Sequence, residues 1–576
     1  MPASPLVPSP VHVTEAIVRA LEDAGVDTVF GMSGGNTGRI HSALAAHTDT
    51  IRSVLVRNEA YATSAAEAYA RHTGKVAVAM AQGSWLMGQG VVGTLEALFS
   101  GTPIVLLGDL SDGAPFSQHA PYQSATGEYG SWDARLAFKG ITKLVLEAHD
   151  PVAAVQSVQL AVKHALAGQP GPVAVLFHSA ALVGEVGPDS VPRLYSSRGY
   201  LTHQGPARPD MAATAEALRT ASAPVLLAGG GVRTARVEGP LLRLARATGA
   251  PVVTTSAGKG VFPEEHPQAA GVFGNYGVPL ANDTLGAADT VLVLGSKLGP
   301  SDTALEAPGL IDPARQRIIH VDIEELNAGW TMPTSEVIVA DLGAALDALL
   351  AELGTAPVPQ AAVRARSSVL AARRTAAGDD APYAAAETAP LHPQRAVAGL
   401  REALPDDVVI CADAGENRLL MCRYFESRAG GGYLQPAGAG GMGYAIPAAI
   451  GVKTADPDRT VVAVCGDGGF SMSLGALLTT VEERLPVVVV VLNNGILGWV
   501  KHSQRSRGEQ EYKSTLYGFD YTAIGRAAGL ASFHVAEPAE LAPAMAEALK
   551  ADGPALVVVD VSTEQTFTDL RTPLMG

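Results

Sequence analysis

Asp467 and Asn494 lie 27 positions apart in VVAVCGDGGFSMSLGALLTTVEERLPVVVVVLNN, each directly after a run of β-forming residues. The residues between them have the length and patterning of a helix, so the segment predicts a βαβ unit. A right-handed crossover brings the carboxyl ends of two parallel strands to the same sheet edge, where these two oxygen-bearing side chains can converge. Gly466, Gly468 and Gly469 let the backbone approach a bulky anion, and the N–H groups that open the following helix favour negative charge. A diphosphate held through Mg²⁺ satisfies both halves of this pattern, because Mg²⁺ takes one or two protein oxygens together with phosphate oxygens. The plainer alternative is an ordinary βαβ turn, with Asp467 capping a helix and Asn494 making a turn.

The elements that must position these residues recur along the chain. Helical patterns alternate with short Val/Ile/Leu runs, as in VHVTEAIVRALEDAG followed by VDTVFG, which predicts α/β architecture built on doubly wound parallel sheets. A helix repeatedly ends in a proline that opens the next strand, at Pro103, Pro172, Pro224, Pro251, Pro486 and Pro554. Pro103 to Pro172 spans 69 positions and Pro486 to Pro554 spans 68, which hints at two similar α/β domains at the two ends. Between them, GGGV at 229–232, VLVLGSKLG at 291–299 and IIHVDIE at 318–324 read as a dinucleotide-type fold. Three domains are therefore expected, over 1–190, 205–353 and 392–576, with an Ala- and Pro-rich linker over 354–391.

Composition narrows the function. Hydrophobic residues make up 47% and charged residues 17%, a balance that can bury large cores. The net charge of −16 offers no basic footprint for nucleic acid or an anionic membrane. Cys411, Cys422 and Cys465 are the only cysteines and show no metal-ligand spacing. Neither a signal peptide nor a membrane span is recognisable, so a cytoplasmic protein acting on small molecules is expected.

The GDG–helix–strand–NN pattern resembles the thiamin diphosphate signature of the acetolactate synthase and pyruvate oxidase superfamily. The resemblance implies that Asp467, Asn494 and the main-chain carbonyl of Ile496 hold Mg²⁺, with Gly466, Gly468 and Gly469 beside the diphosphate. IRSVLVRNEAYATSAAEAYAR at 51–71 resembles the family's strand and helix in which a glutamate, here Glu59, pushes the cofactor's pyrimidine ring toward its imino tautomer. A buried carboxyl with a raised pKa suits that role. PAGAGGMGYAIPAAIG at 436–451 resembles the segment whose methionine, here Met442 beside Gly441, wedges the cofactor into a bent V. ADAGENR at 412–418 lies where the family contacts the diphosphate, with Glu416 and Asn417 as candidates. GKGVFPEEHP at 258–267 extends the likeness to the middle of the chain. The three domains then correspond to pyrimidine-binding, central and diphosphate-binding parts. The family's architecture implies sites shared between two chains of a homodimer or homotetramer.

Among residues that could meet the substrate, Gln123 aligns with a glutamine of acetolactate synthases, and His119 and Tyr122 lie nearby. Three departures stand out. AQGSWLMG at 81–88 places bulky Trp85 where acetolactate synthases have small residues; SKLGPSD at 296–302 replaces their flavin-contacting string, which puts FAD in doubt; and Asn36 and Thr37 replace apolar loop residues. The expected function is a C–C bond lyase or ligase that decarboxylates a 2-keto acid and transfers the aldehyde unit to an acceptor. One alternative is a 2-hydroxyacyl-CoA lyase or oxalyl-CoA decarboxylase, with Arg233, Arg236 and Lys259 supplying charge for an acyl-CoA. Another is an inactive nucleotide-binding regulatory homologue.

Overall fold

The computed structural model describes residues 4–112, 122–201, 208–378 and 381–564. His119 lies outside them. Three six-stranded sheets dominate, each with all its strands parallel. Their central strands are buried on both faces, as Ile104–Asp109 and Val173–Phe177 illustrate, which is why they read as unbroken apolar runs. Helices cover the faces of each sheet, as the α/β pattern predicted.

The first sheet comprises Thr28–Gly31, Arg52–Leu55, Ala77–Met80, Ile104–Asp109, Leu144–Ala148 and Val173–Phe177. Numbered 1 to 6 along the chain, its strands lie in the order 2-1-3-4-6-5. The last sheet comprises Val409–Ala412, Tyr433–Leu434, Val461–Gly466, Val488–Asn493, Ala531–Val535 and Ala555–Asp560, and repeats the order 2-1-3-4-6-5. The matched proline intervals now have a structural meaning: in each sheet they run from the start of the fourth strand to the start of the sixth. The middle sheet, from Pro224–Ala228 to Glu336–Val339, has the order 3-2-1-4-5-6, the dinucleotide-fold arrangement. Its glycine turn at 229–231 has a packing cause, since a Cβ on Gly229 would meet the carbonyl oxygen of Gly295 at 2.2 Å.

The chain divides into two compact units. One takes in Met1–Gln204, Gly438–Pro457 and Ser473–Leu485, and so holds the first sheet. The other takes in Gly205–Ala437, Asp458–Met472 and Pro486–Gly576, with the middle and last sheets. Each is cored by Val, Ile, Leu and Ala from sheet faces and helix stripes. The stretch 354–391 carries an 18-residue helix, Gln360–Ala377. Its buried Arg366 donates to the carbonyls of Thr248 and Leu218 at 2.6 and 2.9 Å, so much of the expected linker is ordered by the second unit.

Candidate active site

In the first unit, the strand Arg52–Leu55 leads to Asn58, whose Oδ1 accepts the N–H of Ala60 at 2.8 Å and caps the helix Glu59–Thr73. Glu59 is the first residue of that helix, where the helix dipole favours a carboxylate. It is only 4% exposed. Burial raises its pKa above the ordinary glutamate range, partly offset by its own backbone N–H. Among the described residues no side chain pairs with its carboxyl group.

The same helix is rich in alanine and packs closely against the helix Ala445–Ala455, where a Cβ on Gly451 would meet the carbonyl oxygen of Ala65 at 2.1 Å. About two to three helical turns beyond Glu59 lies an ionic cluster. Arg71 reaches Glu67 at 2.6 Å and Glu96 at 2.7 Å, and both glutamates are buried. Glu67 also accepts the Tyr444 hydroxyl at 2.6 Å. The Glu96 oxygens accept the N–H groups of Gly438 and Ala439 at 3.0 and 2.7 Å. The turn carrying Gly441 and Met442 is thus fastened at one end to Glu67 of the helix that begins with Glu59 and at the other to Glu96 of the helix Val91–Ser100, which Arg71 ties to the first. Met442 is half-buried.

Gln123 sits with positive φ, its side-chain oxygen accepting Gln82 Nε2 at 2.9 Å and its carbonyl accepting Ser84 Oγ at 3.0 Å. Gln82 also donates to Ser111 at 2.9 Å. Asp109, at the end of the fourth strand, accepts the N–H groups of Asn36 and Gly83 at 2.7 and 3.1 Å. Gln123 is therefore tied to the carboxyl edge of this sheet, while no hydrogen bond joins it to Glu59. Asn36 and Thr37 have internal structural work: Asn36 Nδ2 donates to Ser179 at 2.8 Å, and Thr37 Oγ1 to the Gly34 carbonyl at 2.7 Å. Tyr122 and Trp85 are exposed.

In the second unit, Val461–Gly466 ends at Asp467, which opens the short helix Asp467–Met472, and the parallel neighbour Val488–Asn493 ends just before Asn494. Asp467 is 2% exposed, and burial lifts its pKa to about 6 against several backbone N–H groups that lower it. Its two oxygens accept Gly468 N at 2.9 Å and Gly495 N at 2.7 Å. Asn494 Oδ1 accepts Ile496 N at 3.2 Å. Asp467 and the Asn494–Ile496 turn therefore meet at one sheet edge.

These residues fit Mg²⁺. They offer a carboxylate, an amide oxygen and a main-chain carbonyl, all hard donors, and the buried carboxylate sits among N–H groups with no side-chain cation bonded to it among the described residues. Gly466 ends the strand, and Gly469 packs on the Asp413 carboxyl group, where a Cβ would lie 2.9 Å from its carbon. Asn417, in the helix Glu416–Tyr424, donates to the Val464 carbonyl at 2.9 Å. Its Oδ1 is buried with no hydrogen-bond partner among the described residues, a donor-seeking oxygen close to the strand that delivers Asp467. Its neighbour Glu416 pairs with the buried His502, and a Cβ on Gly498 would clash with Glu416.

Two of the three cations considered for an acyl-CoA, Lys259 and Arg233, are committed elsewhere. Lys259 is buried and bonded to both Glu264 oxygens at 2.8 Å, and Arg233 donates to the Lys259 carbonyl at 2.6 Å.

Sequence reasoning missed Glu96, Gln82, Asp109 and His502. Asp109 had a usable signal, since a charged residue closing an apolar parallel strand lies at the ligand-binding edge. Glu96 had none, because its partners are distant in sequence.

Three family models match in chain order: the N-terminal TPP binding domain of thiamine pyrophosphate enzymes over 11–126, their central domain over 211–349, and their C-terminal TPP binding domain over 413–559. The chain is 30% identical to the Bacillus subtilis (strain 168) protein YdaP, whose name describes it as thiamine pyrophosphate-containing, across 96% of this chain and 92% of that one. It is also 30% identical to the acetolactate synthase isozyme 3 large subunit of Escherichia coli (strain K12), across 96% of this chain and 94% of that one. The acetolactate synthase large subunit of Corynebacterium glutamicum is likewise 30% identical, across 93% and 84%. With three matching domains in order, relatives matched over nearly their full length and a GDG–NN edge formed as the motif requires, this chain belongs to the thiamine pyrophosphate enzymes of the acetolactate synthase and pyruvate oxidase superfamily.

Proposed function

We propose that this enzyme decarboxylates a 2-keto acid and transfers the resulting aldehyde unit to an acceptor, in the manner of an acetolactate synthase, using thiamin diphosphate and Mg²⁺. The observation that carries the reading is Glu59, a buried carboxyl with a raised pKa at the head of a tightly packed helix. Burial there disfavours the ionised carboxyl, the direction that suits a group sharing a proton with a ring nitrogen.

When bound, thiamin diphosphate supplies an electron sink for the carbon beside a carbonyl group. The chain's own residues supply position and proton control. Glu59 holds a proton at its carboxyl oxygen for the pyrimidine ring. Met442, on the turn fastened through Glu96 and Tyr444, would support the cofactor when it is bound. Asp467, Asn494 and the Ile496 carbonyl hold Mg²⁺, with Gly466, Gly468, Gly469 and Asn417 beside the diphosphate. Gln123, oriented by Gln82, addresses the substrate. The familial pattern supports a homodimer or homotetramer in which Glu59 of one chain serves the Asp467 of another.

The acyl-CoA alternative is weaker, because Lys259 and Arg233 are buried and already engaged. FAD has no support beyond the order of the middle sheet. The test is mass spectrometry of products after the Mg²⁺-loaded enzyme is offered a panel of 2-keto acids and 2-hydroxyacyl thioesters. Acyloin or acetohydroxyacid products from 2-keto acids are expected. Turnover of the thioesters alone would overturn the reading.

A further inference from the structure

We propose a second metal site, for a divalent transition cation of the Zn²⁺ class, formed by Glu147, His149 and His178. It lies in the first unit at the carboxyl edge of the fifth and sixth strands, at the opposite side of the sheet from the strand that leads to Glu59. Glu147 belongs to the strand Leu144–Ala148, and His149 follows that strand. His178 follows the parallel neighbour Val173–Phe177, in which Phe177 is in register with Ala148. That register puts the two imidazoles side by side, stacked at 4.3 Å with 25° between their planes. One ligand atom from each of the three residues lies within 4.8 Å of the other two.

The hydrogen bonding around His178 argues for a cation. Its Nδ1 is 2.7 Å from Asp112 Oδ2. Asp112 is buried and fixed, with its other oxygen accepting Ser179 N at 2.7 Å and Ser179 Oγ at 2.9 Å. A neutral imidazole has one N–H, and this carboxylate fixes it on Nδ1. Nε2 is then a lone pair, yet it lies 2.6 Å from Glu147 Oε1. Two acceptors that close need a proton or a metal ion between them. A second proton on His178 would serve both carboxylates, whereas a metal ion would also take in His149, whose Nε2 stands 3.9 Å from the same Glu147 oxygen. What favours a metal is the third donor, since one ligand atom from each of Glu147, His149 and His178 lies within 4.8 Å of the other two.

The donor types agree. Two imidazoles and one carboxylate are a common zinc set that leaves a fourth position open. A carboxylate behind a metal-bound histidine fixes its tautomer and strengthens it as a ligand. Glu147 keeps its other oxygen 3.4 Å from Arg135, so it would bind through Oε1 alone. The His149 side chain is 67% exposed and free to swing the short distance needed to close the shell.

The experiment uses full-length protein, freed of trace metals by chelation and then saturated with Mg²⁺ and thiamin diphosphate. Zn²⁺ is titrated by calorimetry, and Co²⁺ by visible absorption. One equivalent of Zn²⁺ per chain is expected, with Co²⁺ giving the intense bands of a four-coordinate site. His149→Ala, an exposed change that leaves the core intact, and Glu147→Gln should each weaken binding by about tenfold or more, and Asp112→Asn by about 10–100-fold. Far-UV circular dichroism checks that each variant folds. Equal Zn²⁺ affinity in wild type and His149→Ala would overturn the site. So would absence of Zn²⁺ binding together with a doubly protonated His178 by NMR at neutral pH.

Discussion

Replacing Arg71 by Met tests whether the ionic cluster beneath Glu59 is a stabilising frame. The substitution keeps an unbranched apolar stem but removes the guanidinium that pairs with two buried carboxylates, Glu67 and Glu96. Their remaining hydrogen bonds, from Tyr444, Ser100, Thr102, Gly438 and Ala439, do not neutralise the charge. Breaking a buried ion pair from one side costs about 3–5 kcal/mol, because the surviving charge stays desolvated. For a cooperative unit of this size, each kcal/mol lowers the melting temperature by about 2–4 °C, so a fall of roughly 6–20 °C is expected. Differential scanning fluorimetry of the apo protein measures it. A second arm separates charge from packing: the triple variant Arg71→Met/Glu67→Gln/Glu96→Gln removes the unpaired charges and should recover most of the loss. A single variant melting within about 2 °C of wild type, or a triple variant melting as low as the single, would refute the reasoning.

Two further predictions concern the reaction. Glu59→Gln preserves the helix start and side-chain volume but removes the exchangeable proton, so kcat should fall by about 10²–10⁴-fold with cofactor affinity little changed; steady-state kinetics and a binding titration check both. Mixing unfolded Glu59→Gln chains with Asp467→Ala chains and refolding them together should restore about one quarter of wild-type activity if two chains build each site, since about half the dimers are mixed and each has one intact site. Activity that stays at the level of the separate variants would contradict shared sites.

How much of this was legible in the sequence follows from the range of the interactions. The sheets were readable because parallel strands buried on both faces must be apolar runs, and prolines mark where they start. The Asp467–Asn494 edge was readable because one βαβ unit places both residues, so local spacing specifies the geometry. Glu59 and Met442 could be found only by resemblance, since a first-turn glutamate and a loop methionine are individually ordinary. EAYAR served there as a resemblance alone. The structure gives it a physical task, because Glu67 and Arg71 are one helical turn apart and together meet Glu96. That partnership spans 25 positions, and Tyr444 joins from 377 positions away, separations that leave no local pattern. The polar residues Asn36 and Thr37 looked like functional departures, yet their side chains fix the loop: Asn36 bonds to the Ser179 side chain 143 positions away, which no local pattern reveals, and Thr37 to the Gly34 carbonyl within the loop itself.

Calorimetric titration of the apo protein with thiamin diphosphate, with and without Mg²⁺, tests the central claim most directly. One site per chain is predicted, with tight binding that depends on Mg²⁺ and is lost in Asp467→Ala. Binding that is absent, or that persists unchanged without Mg²⁺ or without the Asp467 carboxyl group, would contradict it.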